Sequence, residues 1–247
     1  MKHVYLKVRR QDTPEGLSYW EEFRVPYEPE MTVVDLLKGV QRDPVTADGL
    51  PTSPVVWECS CDSAACGACA MVINGRARLA CDILVENLNE PVVLEPMTKF
   101  PVVRDLVVDR QSMSDGLKDL DAWTELDGVQ DGAVPTMSRT QRDALAKLAD
   151  CIMCGACCDA CPQVSERSPY AGAFYVAYAL LLNGRSNDGE ARAQRLDALR
   201  GPRGVVGCAN VHNCDMVCPR DIPLATANAQ AQWQVMKHAV RSFFFGS

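Results

Sequence analysis

The chain has little of what would let it act alone on a substrate or a polymer. Only three of its 247 residues are histidine (His3, His212 and His238). It has no H-E-x-x-H and no G-x-S-x-G, no P-loop and no G-x-G-x-x-G, so nothing announces a hydrolase, a nucleotide site or a dinucleotide site. No basic run exceeds Arg9-Arg10, and the formal net charge is −7, which argues against a nucleic-acid partner. The longest apolar stretch, AGAFYVAYALLL from Ala171 to Leu182, falls short of the roughly 20 residues that span a bilayer. The opening MKHVYLKVRR alternates apolar and charged residues and lacks the apolar core, about 7–15 residues, of a secretory signal. A soluble or peripheral protein that stays where it is made is expected. With 47% hydrophobic residues in 247, two packed domains of ordinary size are feasible.

Cysteine is what the chain has in quantity. There are thirteen, an odd number that in a reducing compartment favours metal or catalytic use over a disulfide framework. Cys61, Cys66 and Cys69 with the distant Cys81 have the C-x4-C-x2-C spacing of a plant-type [2Fe–2S] loop. Gly67 and the small Ala64, Ala65, Ala68 and Ala70 let the backbone come close, so that N–H groups can reach the sulfurs. Four cysteines also suit zinc, but zinc sites usually pair two short C-x2-C knuckles, whereas this loop is three plus one. Cys59 lies beside the loop, yet only Cys61 makes the four-residue gap; Cys59 is read as an extra thiol near the cluster.

A second pattern follows. Cys151, Cys154, Cys157 and Cys161-Pro162 form the C-x2-C-x2-C-x3-C-P run of bacterial two-cluster ferredoxins. The run returns as Cys208, Val211, Cys214 and Cys218-Pro219, with valine in place of the second cysteine. In such proteins the last cysteine of each run ligates the other cluster. Cys151, Cys154, Cys157 and Cys218 then make a complete [4Fe–4S] set. Cys161, Cys208 and Cys214 make a set of three, suited to a [3Fe–4S] cluster. Cys158 is read as an extra buried thiol, and His212 as a surface or hydrogen-bonding residue. No residue is assigned a catalytic role, so an electron carrier that needs a donor and an acceptor is expected.

The rest of the pattern predicts an α+β fold. Val4, Leu6 and Val8 mark a half-buried strand; Phe23 and Val25 mark a second, ending at Pro26, with a turn near Gly16. Thr32 caps a helix with Val33, Val34, Leu36, Leu37 and Val40 on its apolar face. Asn74-Gly75 signals a type I′ hairpin between Ala70–Ile73 and Arg76–Leu79, and Val92-Val93-Leu94 is another strand. This is a β-grasp order. Ser112 to Pro135, rich in Asp, Gly and Ser, reads as a loop-bearing connector. Helices are expected from Thr140 (with Leu145 and Leu148), around Phe174, Tyr178, Leu181 and Leu182, from Arg192 to Leu199 before Gly201-Pro202, and from Ala225 to Val240. The tail Phe243-Phe244-Phe245 is apolar for a chain end. Domains of 1–105, a β-grasp plant-type [2Fe–2S] ferredoxin, and 106–247, an all-α two-cluster ferredoxin-like domain, are expected.

Taken together, these residues resemble the iron–sulfur subunit of succinate dehydrogenase and fumarate reductase over nearly the whole chain. The specific stretches are Cys66-Gly67-Ala68-Cys69, MVINGRARL from Met71 with Cys81, Leu94-Glu95-Pro96-Met97, FPVVRD from Phe100 to Asp105, and Ile222-Pro223-Leu224 after Cys218-Pro219. The resemblance implies a flavoprotein partner carrying FAD and the succinate site, and a membrane anchor that binds quinone and haem b. Electrons would run from succinate to FAD and through the three clusters to quinone, with the chain held peripherally at the cytoplasmic face of the cell membrane. In the ubiquinone-reducing branch a Trp-Trp pair follows the Cys-Pro, and a histidine follows the first cysteine of the last run. Here Gln163-Val164-Ser165-Glu166 and Ala209 stand instead. The resemblance is therefore to the menaquinone-linked branch with a single haem-bearing anchor, and no quinone residue is assigned. Direction, succinate oxidation or fumarate reduction, stays open. Subunits of other membrane-linked complexes usually carry two complete [4Fe–4S] sets and no plant-type domain, which Val211 and the Cys61 loop oppose; the size and connector oppose a free ferredoxin.

Overall fold

A computed structural model describes residues 2–120, 122, 137–185 and 189–245. The chain forms two compact units, Met1–Arg110 with Cys154–Ala160, and Gln111–Met153 with Cys161–Ser247.

The first unit is built on strand alternation. In β1 (His3–Arg10) every second residue points inward, and Val4, Leu6 and Val8 are at most 1% exposed. β2 (Tyr19–Pro26) pairs antiparallel with it in full register, from His3 opposite Pro26 to Arg10 opposite Tyr19. β3 (Ala70–Ile73) and β4 (Arg76–Leu79) form the expected hairpin. Its turn residues Asn74 and Gly75 both have positive φ, at 47° and 76°, as a type I′ turn requires. β5 (Val92–Glu95) lies parallel to β1 and antiparallel to β3, giving the sheet order β2-β1-β5-β3-β4. Helix α1 (Val33–Arg42) starts at a capping box of Thr32 and Asp35 and buries Val33, Val34, Leu36, Leu37 and Val40. A mixed sheet with one covering helix is the β-grasp arrangement expected.

One inward position of β1 is not apolar. Arg10 is fully buried, so its charge requires partners at the same depth. Its Nε donates to Asp105 Oδ1 at 2.9 Å, and its Nη atoms reach Glu21 and Ser53. Asp105, also fully buried, accepts in addition from the N–H of Gln11 and of Val56. β6 (Val102–Arg104) and β7 (Val107–Val108) flank it as a two-stranded ribbon. The FPVVRD stretch thus pins the segment that leads into the first cysteine loop.

The second unit is helical. α2 (Gln111–Asp119) occupies part of the stretch expected as a connector loop. Its polar composition hid a buried face of Met113, Gly116 and the following Leu120. Gly116 lies against Tyr175 and Phe174, where a side chain would be in contact. The remainder of that connector, 121 and 123–136, lies outside the described residues. α3 (Arg139–Ala149) begins at a capping box of Ser138 and Gln141. α5 (Ala173–Arg185) is buried on nearly every side, with Phe174, Tyr175, Val176, Ala177, Ala179, Leu180 and Leu181 in the core. That is why its sequence is apolar all round. α6 (Gly189–Arg200) and α8 (Leu224–Phe245) pack beside it. α8 runs through the expected Ala225–Val240 and carries on into the Phe243-Phe244-Phe245 tail. Among the described residues no helix is long and apolar enough to cross a membrane.

Candidate metal centres

In the first unit the hairpin delivers two of the predicted ligands together. Cys69 precedes β3, and Cys81 lies in a single helical turn, Ala80–Asp82, just after β4. Because Ala70 pairs with Leu79, the two thiols meet at 3.4 Å. The loop between Cys61 and Cys69 takes left-handed backbone at Asp62, Ala64 and Gly67, with φ of 50°, 55° and 77°. These turns aim successive N–H groups inward. Those of Ser63, Ala65 and Cys66 donate to Cys61 Sγ at 3.5, 3.3 and 3.3 Å, and that of Ala64 donates to Cys81 Sγ at 3.3 Å. Hydrogen bonds from Ser63, Ala65 and Cys66 bring the Cys61 thiol down to about 6. Burial pushes Cys69 up to about 12. A loop of thiols rimmed by N–H donors fits an iron–sulfur cluster, whose anionic sulfurs need such donors.

Cys59 points out of this set. Its thiol donates to Asp62 Oδ1 at 2.8 Å, and Asp62 is held in turn by Lys38 at 2.7 Å. Burial pushes the Cys59 thiol up to about 11. Arg110 supports the loop from below, donating to the Ala68 carbonyl at 3.1 Å.

Part of the second cysteine run also belongs to the first unit. α4 (Ala156–Asp159) carries Cys157, and Cys154 precedes it. Gly155 starts the helix at φ 86°, and a Cβ there would sit 3.0 Å from Phe100 and 3.3 Å from Met97. Asp159 accepts from the N–H groups of Thr98 and Lys99 and from the Thr98 hydroxyl. The Leu94–Phe100 stretch is therefore the seat for Cys154 and Cys157. Cys158 on the same helix is buried. Cys151, Cys161 and Cys218 belong to the second unit.

In the second unit, α7 (Asn213–Val217) carries Cys214, after left-handed turns at Asn210 and His212 (φ 53° and 62°). The Asn210 N–H donates to Cys208 Sγ at 3.4 Å. Val211 is 50% exposed and His212 lies at the surface. One residue here was not anticipated. Tyr170 is 4% exposed. Burial first, then the thiols of Cys208, Cys161 and Cys214 with a hydrogen bond to Cys208, push its hydroxyl far up. The cysteine that ends the first run and two from the second thus all act on one buried tyrosine hydroxyl. Gly207 permits this, since a Cβ there would lie 2.7 Å from the Tyr170 ring. The sequence around Tyr170 carries no motif that marks it. Among the described residues, no three Cys, His, Asp or Glu side chains gather as around a single metal ion; a cluster sets its own irons and sulfides between the thiolates.

Comparison with known proteins agrees with this layout. Residues 5–115 match the 2Fe-2S iron-sulfur cluster binding domain, and residues 147–222 match the 4Fe-4S dicluster domain. The chain is 39% identical to the succinate dehydrogenase iron-sulfur subunit of Bacillus subtilis (strain 168), over 98% of this chain and 96% of that one. It is 30% identical to the fumarate reductase iron-sulfur subunit of Mycobacterium tuberculosis (strain CDC 1551 / Oshkosh), over 99% and 98%. Its fold matches a chain of the Mycobacterium smegmatis Sdh1 complex in the apo form, with TM-score 0.80, 22% identity and coverage of 96% and 97%. With sequence likeness spanning both units end to end, the chain belongs to the family of iron–sulfur subunits of succinate dehydrogenase and fumarate reductase.

Proposed function

We propose that the chain is the electron relay of a membrane-associated succinate dehydrogenase, with no substrate site of its own. Cys61, Cys66, Cys69 and Cys81 hold a [2Fe–2S] cluster; Cys151, Cys154, Cys157 and Cys218 hold a [4Fe–4S] cluster; Cys161, Cys208 and Cys214 hold a [3Fe–4S] cluster. Bound clusters supply one-electron carriers between FAD of a flavoprotein partner and haem b and menaquinone of a membrane anchor. The chain's own part is to keep thiolates converged, to offer N–H groups to their charge, and to withhold a fourth thiolate at Val211. In this reading residues 1–105 form the plant-type domain and 106–247 the helical one, at the cytoplasmic face of the membrane.

The observation that supports it most directly is the environment of Tyr170. The thiols of Cys161, Cys208 and Cys214 all raise the buried Tyr170 hydroxyl, which supports assigning the three to one centre by the crossed ligand rule. The fumarate reductase relative keeps the opposite direction open for the same chain. The test is purification of the detergent-solubilised complex. A flavoprotein and a haem-bearing chain should accompany this one, and succinate should drive menaquinone reduction. The oxidised complex should show the EPR signal of a three-iron centre. A stable, active monomer, or the absence of that signal, would refute the reading. Comparing succinate oxidation with fumarate reduction at matched quinone potential settles direction.

A further inference from the structure

α8 is apolar on two opposite faces. Leu224, Ala227, Ala231 and Val235 are buried. At about 100° per residue they share one side of the helix. Trp233, Met236, Val240, Phe243 and Phe244 fall within an arc of about 100° on the other side. All five are more than half exposed, at 54%, 58%, 53%, 83% and 70%. A surface helix of a soluble domain is polar on that side. The flank of this arc is cationic: Lys237 and Arg241 border it, and Lys237 Nζ lies 3.6 Å from the centre of the Trp233 ring. No Asp or Glu occurs from Leu224 to Phe245, in a chain whose net charge is −7.

We propose that the last three turns of α8 lie in the plane of an anionic lipid surface. Trp233, Met236, Val240, Phe243 and Phe244 enter the boundary between headgroups and acyl chains, and Lys237 and Arg241 meet lipid phosphates. An aromatic and aliphatic arc edged by cations and free of acids is the composition of an interfacial helix. It fits an anionic surface by charge, while the core of a protein interface is depleted of lysine. The contact belongs to this chain itself and does not depend on the cluster ligands or on an anchor subunit.

The test uses the full chain with its clusters in place, floated with vesicles of phosphatidylcholine alone or mixed with phosphatidylglycerol. Binding to the mixed vesicles should be about thirtyfold tighter, about fivefold for each cation, and should fall with salt. Lys237→Gln with Arg241→Gln should remove that preference. Phe243→Ser with Phe244→Ser should weaken binding to both vesicles by about tenfold or more. These positions are exposed, so cluster EPR and circular dichroism should stay unchanged in both double variants. Binding to neither vesicle, equal binding to both, or undiminished binding by the phenylalanine variant overturns the proposal. So does self-association through this arc in sedimentation, or capture by a detergent-solubilised anchor without any vesicle binding. A failure of the relay reading shows instead in the EPR spectra, which this proposal leaves untouched.

Discussion

The Cys61 loop and the Cys208 loop solve one problem in two ways. Both must hold thiolates against their mutual repulsion. The first does so with local backbone: three N–H groups converge on Cys61 and one on Cys81, and a tight hairpin brings the last two thiols together. In the second, the Asn210 N–H donates to Cys208, and a buried side chain, Tyr170, lies close enough to thiols of two separate runs to feel their charge. Hydrogen bonds to cluster sulfurs stabilise the reduced state. In the proposed relay, chain path tunes the first centre, and the Tyr170 side chain gives the second a handle that a single substitution can reach.

The largest way to break the comparison is to remove the scaffold of one side only. Asp105→Ala leaves Arg10 buried and short of its carboxylate, together with two orphaned N–H groups, of Gln11 and Val56. Breaking a buried pair from one side costs about 3–5 kcal/mol. Chemical denaturation should show that loss, and the [2Fe–2S] EPR signal should fall well before the three-iron signal does. Equal loss of both would mean that the pair does not serve the first unit alone.

The next changes the identity of a centre without disturbing its scaffold. Val211 is half exposed in the loop between Cys208 and Cys214, so Val211→Cys meets no packing barrier. Conversion to [4Fe–4S] is expected, with loss of the oxidised three-iron signal and a lower potential in redox titration. An unchanged spectrum would count against the three-ligand assignment.

What the sequence revealed follows from how local each signal is. The alternation of Val4, Leu6 and Val8, the Thr32 cap and the Asn74-Gly75 turn are set by neighbours within a few residues, and all appear where expected. The buried face of α2 was masked by Ser112, Ser114 and Asp115, although Met113, Gly116 and Leu120 already had helical spacing. Arg10 and Asp105 lie far apart in the chain, so neither announces the other; the sign available was a charge on the inward register of an apolar strand. Tyr170 had no sign at all, because its role arises only when Cys161 and Cys208 are brought to it by the fold.

A smaller effect separates position from chemistry at that tyrosine. Gly207→Ala drives a methyl into the Tyr170 ring, now 2.7 Å from the site of the new carbon. Overpacking of this kind costs about 1–3 kcal/mol. Thermal unfolding should report it, and the three-iron line shape should change while the [2Fe–2S] spectrum stays as it was.

Tyr170→Phe is the mildest and the most discriminating. It keeps the ring, and with it the packing against Gly207, and removes only the hydroxyl that is hydrogen-bonded to Cys208. One hydrogen bond of this kind contributes about 1 kcal/mol. For a one-electron couple that is on the order of 40 mV. The donor favours the reduced, more negative cluster, so its loss should lower the three-iron potential by about that amount and leave the [2Fe–2S] potential alone. Stability should fall by no more than about 1 kcal/mol, because the Cys208 sulfur keeps the Asn210 N–H. A shift shared by both centres, or none at either, would show that backbone rather than side chain tunes the second loop as it does the first.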